Sequence, residues 1–311
     1  MAIVPCDKAS EEGSEVVLAS SQEKVFCISI DLDDMRFYRR IHGLSEEGDT
    51  PLVFQKAMPR FLDFCDRLGV KATVFVISED LKWREAKDVL RICIESGHEI
   101  GSHSRSHKYD LSRQSKEVMQ REVLGSKVEI EDTLGIEVLG FRGPGYNLSE
   151  QLLKEIDDAG YEYDTTILPS FPYYVARALI IGFMRVRGKQ SASITGRFSD
   201  FVKGCKPFRW RDGVIELPIS SFILPFIGTT LSRRSLARLA KTLFAGKRFL
   251  HLVFHALDFL EASEAGTDLL VEPALRVRLD ERLDSFSMVI KGLMAGRKMA
   301  RLREVAKIAG H

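Results

Sequence analysis

Ala72-Thr73-Val74-Phe75-Val76-Ile77 is a short apolar run. Asp88 to Ser96 then has helical spacing and stops at Gly97, and His98-Glu99-Ile100-Gly101-Ser102 leads straight into His103-Ser104-Arg105-Ser106-His107. Two short apolar runs joined by a helix read as parallel strands buried on both faces. The same unit recurs on either side. Upstream, Val25-Phe26-Cys27-Ile28-Ser29-Ile30 precedes a helix from Phe54 to Leu68, with Gly69 placed as its C-cap. Downstream, a long amphipathic helix from about Ser112 to Leu134 precedes Val138 to Phe141. Ser149 then caps a helix ending at Gly160, and Tyr161 to Asp164 begins another short strand. This alternation predicts an α/β fold with a parallel sheet.

The pattern lapses between Ser170 and Asp212 and resumes at Val214-Ile215-Glu216-Leu217-Pro218 and at Phe249 to His255. A last helix is expected from about Asp280 to Ala295, with a short strand near Met299 to Leu302. At 311 residues and 45% apolar content the chain can bury one large core, and α/β barrels reach this size as one domain. The expected division is a flexible leader over 1–24 and a barrel domain over 25–311 that includes an insertion at 170–212. The leader lacks the apolar core of about 7–15 residues that a secretory signal needs. The five cysteines form no C-x-x-C pair, which argues against a disulfide framework or a cysteine zinc site and favours a reducing, cytoplasmic setting.

The net charge of +1 conceals a segregation. Phe171 to Leu250 holds 15 Lys or Arg against Asp200, Asp212 and Glu216, a balance of +12 that leaves −11 to the rest. Such asymmetry points to an anionic partner. The insertion adds an apolar stretch containing Tyr173, Val175, Leu179, Ile180, Ile181 and Phe183, too short and too charged to span a bilayer. No nucleic-acid recognition module accompanies the basic block, so nucleic acid is not an expected partner.

Each strand end carries a run with chemical potential, and strand ends are where barrel enzymes keep their sites. Asp31-Leu32-Asp33-Asp34 offers carboxylates, of which Asp31 and Asp33 share a face if the strand persists; the plainer reading is a helix N-terminus, where acids favour the dipole. His103 and His107 stand four apart, one turn of helix, and two imidazoles with one carboxylate meet the three-ligand need of a catalytic zinc-type site; alone, H-x-x-x-H fits a solvated loop equally well. Arg142-Gly143-Pro144-Gly145 is a rigid turn with an arginine and exposed N–H groups, though any strand-to-helix turn uses Gly and Pro. His255 ends an apolar strand where a general acid could stand, and His251 within that run reads as a packing histidine. His42, His98 and His311 belong to no motif.

Taken in order, these residues resemble the polysaccharide deacetylase (NodB-type) superfamily, also called carbohydrate esterase family four. The resemblance runs from Val25 to about Phe259 and includes Gly160-Tyr161-Glu162-Tyr163-Asp164-Thr165-Thr166. It implies a deformed (β/α)7 barrel that hydrolyses an N-acyl group from an amino sugar. By position it implies Asp31 as general base, Asp33, His103 and His107 as metal ligands, and His255 as general acid. Arg142 would orient Asp31, Gly145 would supply the oxyanion N–H, and Asp164 would be a supporting partner. The implied cofactor is a divalent metal, zinc first, with cobalt, nickel or manganese as alternatives. One departure is visible. The family pairs adjacent aspartates, whereas Leu32 separates Asp31 from Asp33, which leaves the metal carboxylate open between Asp33 and Asp34, with Asp33 favoured by spacing. The D-x-D spacing looks like the branch of lipid-linked aminoarabinose deformylases and cyclic-imidase-like members. The implied substrate is therefore a lipid- or phosphate-linked amino sugar, such as a polyprenyl-phosphate-linked one met at an anionic membrane surface. The alternatives are a soluble C–N hydrolase of a small amide or imide, and a non-catalytic barrel that binds glycan or lipid phosphate.

Overall fold

A computed structural model describes residues 13–14, 23–45, 50–186, 188, 191–194, 204–211, 213–222 and 224–310. Among the described residues seven parallel strands follow the expected alternation: β1 (Val25–Asp31), β2 (Thr73–Val76), β3 (Glu99–Ser102), β4 (Gly140–Phe141), β5 (Tyr163–Asp164), β6 (Ile215–Glu216) and β7 (Phe249–His255); an eighth short one, Lys298–Met299, pairs parallel with the start of β1. Their order across the sheet is β6-β5-β4-β3-β2-β1-β7. The two ends of this curled sheet meet at a narrow seam. Ser220 N–H donates to the His251 carbonyl at 3.1 Å, and His251 N–H returns a bond to Ser220 Oγ at 2.9 Å. The result is the deformed seven-stranded α/β barrel that the sequence led us to expect. Short antiparallel additions, Gly13–Ser14 on Phe208–Trp210 and the latter on β6, extend one edge.

Side-chain parity along the strands decides what enters the barrel. Phe26, Ile28 and Ile30 of β1, with Leu250, Leu252 and Phe254 of β7, pack into the outer core beneath the helices. Their alternates Val25, Cys27 and Phe249 belong to an inner cluster with Phe75, Leu139, Tyr163 and Leu217. Because side chains alternate along a strand, the same parity turns Ser29, Asp31, His251 and His255 inward. The final helix, Leu302–Gly310, packs Leu302, Val305, Ala306 and Ala309 on the inner cluster, at the end where the strands begin. The opposite end, where the strands finish, holds Asp31 and His255.

Several boundaries differ from expectation for identifiable reasons. The helix expected from Phe54 starts as a π-helical turn, Val53–Ala57, before α-helix Met58–Leu68. Pro59 has no N–H for an α-type bond back to Gln55, and a wider turn accommodates that loss. The helix expected from Ser112 starts at Lys116, because Ser115 is its N-cap, and Leu111–Arg113 form a separate 3-10 turn. Met35–His42, Arg234–Phe244 and the final helix were not anticipated. Within the insertion, Phe171–Val186 is one continuous helix. Apart from 13–14 and 23–24 the expected leader lies outside the described residues, as does 195–203 of the insertion. Among the described residues no helix is long and apolar enough to cross a membrane.

His98 sits at the strand-start end and accepts the Ala72 N–H on Nδ1 at 3.1 Å. Burial, and then the charge of Lys71, lower its pKa from 6.5 to about 4. The folded state thus resists a proton that the unfolded chain accepts, so this contribution to stability is complete above pH 6.5 and disappears as pH falls to about 4. We expect His98→Asn, which keeps an acceptor for Ala72 but cannot titrate, to flatten the pH dependence of urea-unfolding stability across that window. Identical slopes for variant and wild type would refute this assignment.

Candidate active site

The parallel register of β1 and β7 sets Asp31 directly beside His255. Asp31 Oδ2 lies 3.8 Å from His255 Nε2 and 4.0 Å from His103 Nε2. The other oxygen, Oδ1, accepts from Arg142 Nη1 at 2.5 Å. Arg142 is wholly buried, and its remaining donors reach Ser29 Oγ at 3.0 Å, His251 Nε2 at 3.1 Å and Thr165 O and Oγ1 at 3.3 Å. Its guanidinium lies 4.2 Å from the centroid of the Phe75 ring. Since arginine only donates, His251 Nε2 is an acceptor, and burial followed by the Arg142 charge holds that imidazole well below its usual pKa. His251 is a core histidine, as read from sequence, but its task of seating Arg142 was not legible.

The expectation that His103 and His107 share a helical face is wrong. Both lie in a loop after β3, in which Ser104 has φ 64° and His107 φ 54°. Two left-handed residues fold the loop back on itself, so the imidazoles converge with ring centroids 4.9 Å apart. Glu122, on helix Lys116–Leu134, pins the loop by accepting from Ser106 N at 2.8 Å and Ser106 Oγ at 2.5 Å. His103 Nδ1 bonds the Arg142 carbonyl at 2.8 Å, which must be a donation and therefore turns the Nε2 lone pair inward. Asp33 Oδ1 stands 3.3 Å from His103 Nε2 and 3.2 Å from His107 Nε2. The neighbouring Asp34 instead caps helix Met35–His42, accepting from Arg36 N at 2.9 Å. The helix N-terminus reading of the acidic run thus applies to Asp34, while Asp33 is the carboxylate that lies beside the two imidazoles.

One ligand atom from each of Asp33, His103 and His107 lies within 4.8 Å of the others, all three residues buried. Asp33 Oδ1 and both ring nitrogens of His107 make no hydrogen bond. Buried polar atoms without partners carry a penalty, and a cation would take the carboxylate oxygen and the one lone pair of the neutral imidazole, so the donor set fits a divalent metal. Burial presses the Asp33 carboxyl upward, but the two imidazoles outweigh it and leave Asp33 well below the ordinary carboxylate range. Burial lowers His107, whereas on His103 the adjacent Asp31 and Asp33 outweigh burial and raise it.

The remaining expected residues lie around this centre. Gly145 has φ 65°, and its carbonyl accepts from Arg177 Nη1 at 2.6 Å and Asn147 Nδ2 at 2.9 Å. Asp164 is one layer removed. Its Oδ1 accepts from Thr166 Oγ1 at 2.6 Å, and that hydroxyl accepts from Gly143 N at 2.7 Å. Burial raises both Asp164 and its partner Glu216. Tyr146 escaped sequence reading, yet its Oη lies 2.9 Å from His255 Nε2. Its φ of 60°, unusual for an aromatic residue, had no sequence signal beyond the preceding Gly-Pro-Gly.

Residues 44–163 match the family model described as polysaccharide deacetylase. Over that stretch the chain is similar to the polysaccharide deacetylases. Its curated relatives include a peptidoglycan-N-acetylglucosamine deacetylase of Bacillus cereus, 30% identical over 33% of this chain and 47% of that protein. A peptidoglycan deacetylase of Helicobacter pylori is 28% identical over 50% of this chain and 54% of that protein. The chain thus spans about half the length of these relatives. Among solved structures PuuE allantoinase has the same fold, with a TM-score of 0.58 and 12% identity over 95% of this chain and 96% of that one. The family match takes in the histidine and arginine runs but neither Asp31 nor His255.

Arg142 and Asp31 form a fully buried ion pair in this deacetylase-type barrel. Arg142→Gln leaves a carboxylate uncompensated inside the protein, and we expect it to cost about 3–5 kcal/mol in urea unfolding. A loss below about 1 kcal/mol, the size of an exposed pair, would show that the two charges are not mutually dependent.

Proposed function

We propose that this chain removes an N-acyl group, acetyl or formyl, from an amino sugar by metal-assisted hydrolysis. The observation that carries this reading is the convergence on Asp31. One carboxylate oxygen is held by Arg142, while the other is unbonded and faces both His255 and the Asp33, His103, His107 cluster. In this reading Asp33, His103 and His107 hold the metal, zinc first and cobalt, nickel or manganese as alternatives. When bound, such an ion acidifies water and polarises the amide carbonyl.

The chain's own residues supply the proton transfers. Asp31 Oδ2 takes a proton from the attacking water, whose oxygen bonds the carbonyl carbon, while Arg142 keeps Asp31 from turning away. His255 then delivers a proton to the amine nitrogen as the C–N bond breaks. Two contacts favour that role. His255 Nε2 lies 2.9 Å from Tyr146 Oη and 3.8 Å from Asp31 Oδ2, so the proton that Asp31 takes from water can be returned through this nitrogen to the amine. We assign the oxyanion N–H to the Gly145 turn and a supporting role to Asp164 through Thr166 and Gly143.

The substrate we propose is a lipid- or phosphate-linked amino sugar, met in the cytoplasm at the inner face of the membrane. The basic block supports the phosphate, and the free state of Cys27, Cys65, Cys93 and Cys205 suits a reducing compartment. The curated relatives' activity on peptidoglycan amino sugars supports the sugar.

Mass spectrometry after incubation with N-acetyl and N-formyl amino sugars, free and lipid-linked, with and without chelator, tests the reading. We expect loss of one acyl mass and its suppression by chelator. Loss of neither acyl group with metal supplied would overturn it. The roles separate by variant. Asp31→Asn is expected to lower turnover by at least about a hundredfold while keeping metal, and His103→Ala to lose metal in elemental analysis. Equal metal content in the two variants would refute the assignment.

A further inference from the structure

Helix Phe171–Val186 is apolar on its buried and its exposed faces alike. Tyr174, Arg177, Ile181 and Met184 form its buried stripe. The opposite face is also apolar: Val175 is 41% exposed, Leu179 68%, Ile180 44% and Val186 88%. The helix contains no acidic residue, and its one exposed charge is Arg185. A helix apolar on all sides belongs in a protein interior or in lipid. This one is about 24 Å long, short of the roughly 30 Å of a bilayer core, so it is built to lie in the interface rather than to span it.

Its inner side grips the candidate active site. Tyr174 Oη donates to the Tyr146 carbonyl at 3.1 Å, and Arg177 Nη1 donates to the Gly145 carbonyl at 2.6 Å. The Tyr173 and Tyr146 rings stand 5.8 Å apart, and Tyr146 touches His255. The helix is therefore linked to the proposed general acid through Tyr146.

Charge decides what covers that face. The helix opens the +12 segment and runs into Arg185-Val186-Arg187-Gly188-Lys189. A two-fold contact with a second copy would set that basic segment against itself. Anionic lipid head groups complement it, and acyl chains complement Leu179, Ile180 and Val186. We infer that helix Phe171–Val186 is an interfacial helix that docks the chain on an anionic bilayer and holds the site mouth at the lipid surface. For the choice of a lipid-linked substrate this inference rests on the amino-sugar reading; the docking itself does not.

Sedimentation with vesicles of phosphatidylcholine, with and without phosphatidylglycerol, tests it. Wild type is expected to bind the phosphatidylglycerol vesicles in a salt-sensitive manner and the neutral vesicles weakly. Leu179→Glu with Ile180→Glu is expected to reduce that binding by at least about tenfold. Hydrolysis of a soluble amino sugar by the variant is expected to match wild type. The inference fails if wild type stays in the supernatant over anionic vesicles at low salt, or if neutral and anionic vesicles retain it equally. It fails equally if the variant, active on the soluble sugar, still sediments like wild type, or if sedimentation velocity shows the face closed by self-association. Vesicle binding by wild type with no hydrolysis of any amino sugar would sustain the docking and overturn the activity.

Discussion

Everything at the mouth of the barrel depends on a guanidinium buried at its centre. Arg142 leaves β4 and meets Asp31 and Ser29 on β1, Phe75 on β2, Thr165 just past β5 and His251 on β7. Taking two charges out of water costs several kcal/mol for each ion, so such a pair survives only where its remaining groups are bonded and its geometry is rigid. Here the guanidinium's donors are met from several strands, and Asp31 Oδ2 is the one oxygen of the pair left unbonded, toward His255 and His103. Gly101 and Gly140 are part of the same arrangement. A Cβ on Gly101 would come within 2.6 Å of Phe75, on which the guanidinium lies, and one on Gly140 within 2.1 Å of Tyr163. The rings that floor the site need that space.

The consequence for the metal cluster is indirect but specific. His103 is oriented by the carbonyl of Arg142 itself, so the residue that fixes the carboxylate through its side chain also fixes an imidazole through its backbone. Both halves of the site are thereby referred to one residue. That coupling is the physical content of a strand-end arginine that sequence alone could only describe as part of a glycine-rich turn.

The strands and their parallel pairing were legible because apolar runs of the right length alternate with helical spacing and glycine stops. What enters the barrel was not, since β1 and β7 are apolar on both faces and parity has no visible phase. The histidine pair shows a different limit. A spacing of four implied a helix, but two residues in left-handed conformations bring the rings together, and neither Ser104 nor His107 is a residue type that announces this backbone. Tyr146 was hidden for the same reason. The insertion's apolar character was plain in the sequence, whereas the outward direction of Leu179 and Val186 required the buried stripe of Tyr174, Arg177, Ile181 and Met184 to be known first.

The departure that looked weakest in the sequence, leucine between two aspartates, has a structural reason. Asp31 ends β1 facing inward, and the ladder continues one residue further, Leu32 N–H donating to the Phe75 carbonyl at 3.1 Å. In extended chain Leu32 must then point outward, and it is fully buried in the core beneath the helices. Asp33 regains the inward direction and reaches His103 and His107, after which Asp34 turns the chain into a helix. Adjacent acids at this strand end would face opposite sides of the sheet, one of them into hydrocarbon. The intervening leucine lets two carboxylates of different environment, one beside a guanidinium and one between imidazoles, share the same face of a strand that is still extended.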